Sequence, residues 1–469
     1  MENAQGKARY RDMTQGPEWK CILLFTLPIM LAQLLQQLYA TVDGIVVGNF
    51  GSNGGLAAVG NCAIVANVFI SISNGMGNGS AILVSQMFGA RRRDEMRRAA
   101  STAVFLMLVL GLASAILVFA AARPIVLHIL GISEEAVIAS AVIYLRIYAV
   151  GFIFTFLYNI IAAILRAVGD SRALIYFLLV SAVMNVFLDL LFVAAFRWDV
   201  AGAAAATVIA QLACVTVSII YMFRNYPDFR FRLREIRPQR RELALCLKMG
   251  LPSTLQQLVV SCGYLLLQRL INSFGQVTMD AWTVGHRYDQ YCCIPSLAMM
   301  QAMSSFSGQN TGAERYDRIR RGLRAAIALD LVMVIVIGAL LYFLAEPLSM
   351  LFNLNDAALA QAVECLHFLP FAYLLFATYI PFNGMFQGCG DPSASAFASL
   401  MSLFLRVVSS YLLVYCFSGT YNVVWRTYVL GWGAALIFVV VHYVRVTCHN
   451  KSLIKNETPG SKAEPEAED

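Results

Sequence analysis

The chain has 469 residues, of which 59% are hydrophobic and only 13% are charged, and its formal net charge is +7. A soluble domain carries about twice this fraction of charged residues, so the composition excludes an ordinary soluble domain and indicates a membrane protein. The basic balance does not indicate nucleic-acid binding, because the arginines are confined to particular loops between apolar runs.

Apolar runs of about 20 residues follow one another along the chain, each long enough to cross a hydrocarbon core about 30 Å thick. The eighth run is the weakest, because His286, Arg287 and Asp289 interrupt it. The runs predict twelve transmembrane helices, at 19–48, 55–84, 100–121, 137–165, 172–195, 200–223, 247–273, 279–308, 322–345, 362–387, 394–417 and 423–447.

Arginine is distributed unevenly among the predicted loops. The loops after the second, sixth and eighth spans are rich in it, whereas the opposite set of loops contains little beyond Arg123, Arg197 and Arg426. Cytoplasmic loops carry the excess of Lys and Arg, so we expect both termini in the cytoplasm. We expect no cleavable signal peptide, because the first apolar run is too long for a signal core.

The two halves of the chain repeat one another at a nearly constant offset of 221 to 225 residues. Each match alone is weak, but their common register predicts a duplicated unit. The matching motifs are Leu27-Pro28 with Leu251-Pro252, Phe50-Gly51 with Phe274-Gly275, Val59-Gly60 with Val284-Gly285, Gln86-x-x-Gly89-Ala90 with Gln309-x-x-Gly312-Ala313, and Gly169-Asp170 with Gly390-Asp391.

Six spans in each half give the halves the same orientation, so they are parallel repeats related by an axis along the membrane normal. Two such lobes enclose a central cleft, and rocking one against the other exposes the cleft to each side in turn. We therefore predict an all-α membrane protein with two six-helix lobes in pseudo-two-fold symmetry, acting as a secondary transporter. The predicted parts are a cytoplasmic segment 1–18, an N-lobe 19–223, a basic linker 224–246, a C-lobe 247–447 and a charged, disordered tail 448–469.

Two carboxylates lie inside predicted spans of the first half, Asp43 in the first span and Asp189 in the fifth. A carboxylate at the centre of a membrane helix costs about 2.5–3.5 kcal/mol, so both are expected to face the protein interior. Tyr39 stands four residues before Asp43, and Asn185 stands four before Asp189. Ala203 and Thr207 have the same spacing on the sixth span. Residues four apart share a helix face, so each helix could direct one pair to a common point.

This cluster could serve in three ways. The two acids could share a proton, since like charges in a low-dielectric site raise at least one pKa. They could bind Na⁺ through Asp43, Asn185, Asp189 and Thr207, since hard cations prefer oxygen ligands. They could also be a buried hydrogen-bonded pair that only fixes helix packing. The corresponding positions of the second half are Leu267, Arg406 and Ser410, so we expect the ion site in the first half only.

Further polar residues at membrane depth are candidates for the cleft. We expect Gln36, Gln37, Gln256, Asn383 and Arg406 to line it. Arg406 is costly inside a span and is expected either to pair with a carboxylate or helix carbonyls, or to snorkel toward the interface. Arg146, Asp330 and Glu364 are expected near helix ends.

Several of these motifs together resemble the MATE family of multidrug and toxin extrusion transporters, over roughly residues 20–447. They are Leu38-Tyr39-x-x-x-Asp43-x-x-x-Val47-Gly48, Ala57-Ala58-Val59-Gly60, Ser85-Gln86-x-x-Gly89-Ala90, Leu165-Arg166-x-x-Gly169-Asp170, Ala201-Gly202-Ala203-Ala204 with Thr207, and Gly308-Gln309-Asn310-x-Gly312-Ala313.

The resemblance implies a V-shaped pair of lobes that exports organic cations in exchange for H⁺ or Na⁺. The chain looks closer to the DinF-like branch, in which Asp43, Asn185, Asp189, Thr207 and the Ala203 carbonyl match the coupling-ion ligands and Tyr39 matches the partner of the first acid. NorM-like relatives also use acids on the seventh and tenth helices. This chain has none in the middle of the seventh, and Asn383 stands where an acid is expected on the tenth.

The leading hypothesis is therefore export of amphipathic, cationic small molecules in exchange for H⁺ or Na⁺, by a monomer in the cell membrane with lipid around it. The alternative is a flippase for a lipid or lipid-linked saccharide, which basic residues along the cleft would favour. A receptor or enzyme is a third possibility, but no nucleophile, nucleotide or metal-ligand motif supports it, and no cofactor is expected.

Overall fold

The computed structural model describes residues 11–50, 55–132, 134–231, 235–417 and 419–449, and within them not the side chains of 39, 40, 42–50, 55–58, 136 and 446–449. The described residues form twelve long helices and one short helix, α10. The helices are α1 (Glu18–Phe50), α2 (Gly55–Gly89), α3 (Arg93–Pro124), α4 (Glu135–Ala167), α5 (Arg172–Asp189), α6 (Asp199–Asn225), α7 (Arg240–Asn272), α8 (Gln276–Gly312), α9 (Tyr316–Phe343), α10 (Ala345–Met350), α11 (Asp356–Gly388), α12 (Pro392–Cys416) and α13 (Val423–His449).

All twelve predicted spans are confirmed as helices, and most of these helices extend beyond the apolar run at one end or at both ends. The helix α3 begins seven residues before the predicted span, at Arg93, and α7 begins seven before, at Arg240. Charged first turns cannot enter hydrocarbon but can continue a helix into the interfacial layer, which hydropathy does not detect. We call the end of the bundle where α2, α4, α6 and α8 end the arginine-rich end.

The helix α8 is the polar exception among the long helices. The other eleven are long and apolar enough to cross a membrane by composition alone, whereas α8 is not. At 37 residues it is nevertheless the longest helix, and one side of it is buried by α1, α2, α9 and α11. A helix shielded by its neighbours does not need an apolar surface throughout, so α8 completes the set of twelve.

Two separate apolar cores correspond to the two lobes. One core is formed by α2 to α6 with the start of α7, and the other by α7 to α9 and α11 to α13. The first half of α1 belongs to the second core, because Cys21, Ile22, Phe25 and Ile29 pack there, while α1 also contacts α5 of the first lobe. The helix α1 therefore runs between the lobes.

The sequence repeat recurs in the structure as the same kind of turn in each half. Gly169 and Gly390 both adopt a left-handed conformation, with φ values of 93° and 91°. The aspartate after each glycine then caps the following helix, since Asp170 Oδ1 accepts the Ala173 N–H and Asp391 Oδ1 accepts the Ala394 N–H. Glycine is the residue that this backbone conformation favours, which explains the motif in both halves.

Candidate functional site

The described part of the predicted ion site lies where α5 meets α6. Asn185 and Asp189 are fully buried on the last turns of α5, and Thr207 on α6 is 7% exposed. Asn185 Nδ2 donates to Thr207 Oγ1 at 3.4 Å, and Thr207 Oγ1 donates to the Ala203 carbonyl at 3.0 Å. Asn185, Thr207 and the Ala203 carbonyl therefore form one chain of oxygen-bearing groups, with Asp189 one turn further along α5.

The backbone next to Asp189 departs from α-helical geometry. Residues Leu190–Ala195 continue α5 as a π-helical turn that starts directly after the carboxylate. Such turns are rare and often occur at functional sites, because they rotate side chains out of the regular helical register. The apolar sequence of this turn contains no signal from which it could have been predicted.

Tyr39 and Asp43 lie outside the residues whose side chains the structure describes. Their backbone belongs to α1, which contacts α5 and the π-helical turn. In the described residues, no three His, Cys, Asp or Glu side chains come together as metal ligands. The participation of Asp43 and Tyr39 in the cluster stays a prediction.

A cavity of about 460 Å³ opens beside this cluster. Its wall comes mostly from α1, α2, α4, α5 and α6, with α7 and α8 closing one side. Thr207 of the predicted ion site and Gln36 of the predicted cleft both line it. Amides, hydroxyls and aromatic rings make up much of the lining, in particular Gln33, Asn74, Asn78, Thr155, Asn159, Gln211, Tyr148, Phe154 and Tyr158.

The other cleft candidates lie in three different places. Gln37 donates to Gln290 of α8 at 3.1 Å, which bridges the lobes. Gln256 and Asn383 both donate to Ser399 Oγ, at 2.6 Å and 3.2 Å, and so are brought together inside the second lobe. Arg406 is 3% exposed and lies elsewhere in that lobe. None of these four residues lines the 460 Å³ cavity that Gln36 lines.

A buried polar cluster in the second lobe was missed by the sequence analysis. Asp289 is 3% exposed and accepts hydrogen bonds from the Tyr373 and Tyr428 hydroxyls, the latter at 3.1 Å. The Arg406 guanidinium lies over the Tyr428 ring, 3.4 Å from its centroid. The sequence did contain a signal for this cluster, because Asp289 and Arg406 are opposite charges within predicted spans of the same half.

Asp330 was expected near a helix end, and this expectation was wrong. It lies in the middle of α9 and is fully buried. Ser296 of α8 donates a hydrogen bond to it at 3.0 Å. The Ser296 hydroxyl of the polar helix α8 thus gives the buried Asp330 carboxyl a hydrogen-bond partner, which an apolar side chain at that position could not.

Comparisons with known proteins agree with this architecture. A multidrug transporter described as being in an outward-facing conformation superposes with a TM-score of 0.88 at 24% identity, covering 96% of this chain and 100% of that one. A transporter from Pyrococcus furiosus, described as having a binding pocket of reverse polarity, gives 0.87 at 24% identity, covering 95% and 99%. These likenesses establish the fold.

Relatives of similar length also match by sequence. The probable multidrug resistance protein YpnP of Bacillus subtilis is 28% identical over 433 residues, 91% of this chain and 94% of that protein. The multidrug export protein MepA of Staphylococcus aureus is 22% identical over 444 residues, 94% of this chain and 98% of that protein.

The MatE family model matches residues 28–191 and again residues 252–412. The two matches begin at Pro28 and Pro252, the positions where the internal repeat begins in each half. Together they cover more than half of the chain, and the structure has the same two-lobed set of twelve helices. The chain is therefore a multi-pass membrane protein that belongs to the MatE family of multidrug efflux transporters.

Proposed function

We propose that this transporter exports amphipathic, cationic compounds from the cytoplasm in exchange for H⁺ or Na⁺. The observation that carries the proposal is that Thr207 takes part in both the ion cluster and the wall of the cavity. It is bonded to Asn185 and to the Ala203 carbonyl beside Asp189, and it lines the 460 Å³ cavity. An ion that changes this cluster would therefore change the cavity wall.

The cavity is suited to the proposed cargo. Its volume lies in the range of pockets for drug-sized compounds, which is about 300–1,000 Å³. The faces of Tyr148, Phe154 and Tyr158 offer the π systems that attract organic cations. The names of YpnP and MepA, multidrug resistance and multidrug export, support the same kind of cargo. A flippase is less favoured, because only one described lining side chain is basic.

The coupling ion would be bound by oxygen atoms. Asn185, Asp189, Thr207 and the Ala203 carbonyl supply such atoms, and Asn185 Oδ1 accepts no hydrogen bond from the described residues. We propose that Asp43 and Tyr39 complete the site from α1. Binding there shifts the equilibrium between conformations only as far as the ion's affinity differs between them.

The described conformation is closed at the arginine-rich end. There Gly89 of α2 packs against Gln309 of α8, and Gln86 Nε2 donates to the Gly388 carbonyl of α11 at 2.9 Å. We propose that this end faces the cytoplasm, because it carries many arginines, namely Arg91, Arg92, Arg93, Arg315, Arg318, Arg320 and Arg321. Both lobes come from one chain, so a monomer in lipid suffices for alternating access.

Transport in proteoliposomes tests the proposal. Efflux of a fluorescent amphipathic cation is measured under proton and sodium gradients that are imposed independently. We expect one of the two gradients to drive efflux, and Asp189→Asn to abolish the gradient-driven part. Asp280→Asn at the start of α8 is the matched control, because it removes the same charge outside both lobes' buried clusters. Efflux that depends on neither gradient, or gradient-driven efflux at the wild-type rate in Asp189→Asn, contradicts the proposal.

A further inference from the structure

The cavity beside the ion cluster carries a single formal charge among its described lining residues. That charge is Arg166, on the last turn of α4, and the other described lining side chains are neutral. Arg166 Nη2 donates to Asn78 Oδ1 at 3.2 Å, and no described carboxylate lies within 4 Å of its guanidinium. A guanidinium at the wall of a low-dielectric cavity is costly unless something compensates its charge.

Several other arginines at this end of the bundle have carboxylate partners. Arg97 lies 2.6 Å from Glu235, and Arg318 lies 3.4 Å from Glu18. The buried Arg406 of the second lobe lies over the ring of Tyr428, whose hydroxyl donates to Asp289. Arg166 differs from all three because the space beside it is the cavity. Its charge is therefore available to whatever occupies that cavity.

A guanidinium has five N–H donors in a planar fork, and the bond to Asn78 uses one of them. The fork matches the two oxygens of a carboxylate, phosphate or sulfonate, which it can bind through two parallel hydrogen bonds. Phe154 and Tyr158 precede Arg166 on α4 by twelve and eight residues, which is about 18 Å and about 12 Å along the helix axis. An elongated compound could thus place a cationic group at the rings and an acidic group at Arg166.

We propose that the cavity selects amphoteric compounds, which carry an acidic group as well as the cationic one, and that Arg166 binds the acidic group. The proposal deepens the export function proposed above and rests on it for the assignment of the cavity. It makes Arg166 a specificity-determining residue. Purely cationic compounds still enter, but without the contribution of the guanidinium.

Equilibrium binding to the purified full-length protein tests this inference. The two ligands are rhodamine B, which carries a carboxylate and a cationic ring system, and its ethyl ester, which keeps the cation and lacks the acid. We expect the wild type to bind rhodamine B about tenfold or more tightly than the ester. Arg166→Gln should abolish this preference, because it weakens the binding of rhodamine B and not that of the ester. Arg166→Lys should retain part of the preference.

The matched control is Arg146→Gln, which makes the same substitution on the same helix at a residue that lies over the Phe119 ring and does not line the cavity. It should leave the preference for the acid unchanged. Equal affinities of the wild type for acid and ester overturn the inference, even if Arg166→Gln does not fold. If Arg166→Gln weakens the binding of both ligands equally, Arg166 has a structural role, and this result also overturns the inference. Binding needs no ion gradient, so these outcomes are separate from a failure of coupled export.

Discussion

Gly89 of α2 lies directly against the backbone carbonyl of Gln309 on α8, so closely that a β-carbon on the glycine would overlap the carbonyl oxygen. The reciprocal contact is also present, because Gly312 of α8 lies against the carbonyl of Gln86 on α2. These four residues are the two copies of the Gln-x-x-Gly repeat motif. The motif of each lobe therefore packs against its own repeat, as expected of a contact on a two-fold axis.

The first prediction concerns this contact. Gly89→Ala or Gly312→Ala should destabilise the closed arginine-rich end by about 1–3 kcal/mol, because the new methyl group meets backbone that cannot rotate away. Thermal unfolding of the purified variants measures the loss. Gly60→Ala on α2 is the control, since a β-carbon there meets nothing within 4 Å. Equal melting temperatures for Gly89→Ala and Gly60→Ala would show that the close contact is not maintained.

A second prediction concerns the segment before α1. The Met13 N–H donates to Gln309 Oε1, and Gln309 Nε2 donates to the Ala167 carbonyl of α4, both at 2.9 Å. Gln309→Leu removes both bonds at a fully buried position, at a cost of about 1–3 kcal/mol for each group left without a partner. We expect faster amide hydrogen exchange in residues 11–17 and around Val168. The variant Gln276→Leu, at the exposed start of α8, should leave exchange there unchanged.

The third prediction separates the ion cluster from helix packing. Thr207→Val keeps the shape of the side chain but removes the hydroxyl that accepts from Asn185 and donates to the Ala203 carbonyl. We expect the concentration of the coupling ion that gives half-maximal efflux to rise about tenfold, which is the effect of losing about 1.4 kcal/mol. Thr216→Val is the control on the same helix, because Thr216 is exposed and, among the described residues, bonds only to the Leu212 carbonyl. A similar change in both variants would assign Thr207 to packing.

The fourth prediction concerns the Asp289 cluster. Asp289→Asn weakens the acceptor for the Tyr373 and Tyr428 hydroxyls and leaves Arg406 without the nearby negative charge. We expect a loss of about 1–3 kcal/mol in stability, with the remaining folded protein still coupled to the ion gradient. Unfolding and proteoliposome efflux are measured on the same preparation. Normal stability with uncoupled efflux would instead place the coupling ion in the second lobe.

Much of the architecture follows from the sequence because hydrophobic length and charge asymmetry are local properties. Even α8 could be placed from its apolar run, although His286, Arg287 and Asp289 interrupt that run. The contacts between helices are not local in this sense. Nothing in the spacing shows that Gln256 and Asn383 share Ser399, or that Tyr428 stands between Asp289 and Arg406. The π-helical turn after Asp189 is likewise set by packing, because its residues are ordinary apolar ones.

Ligand binding measured at varied ion concentration tests the central claim most directly. The affinity of the purified protein for the ethyl ester of rhodamine B, an amphipathic cation, is determined over ranges of pH and of Na⁺ concentration. Two sites that are coupled must change each other's affinity by the same factor. We predict that the affinity falls as the coupling ion saturates the wild type and stays constant in Asp189→Asn. The same ion dependence in both proteins would contradict the account.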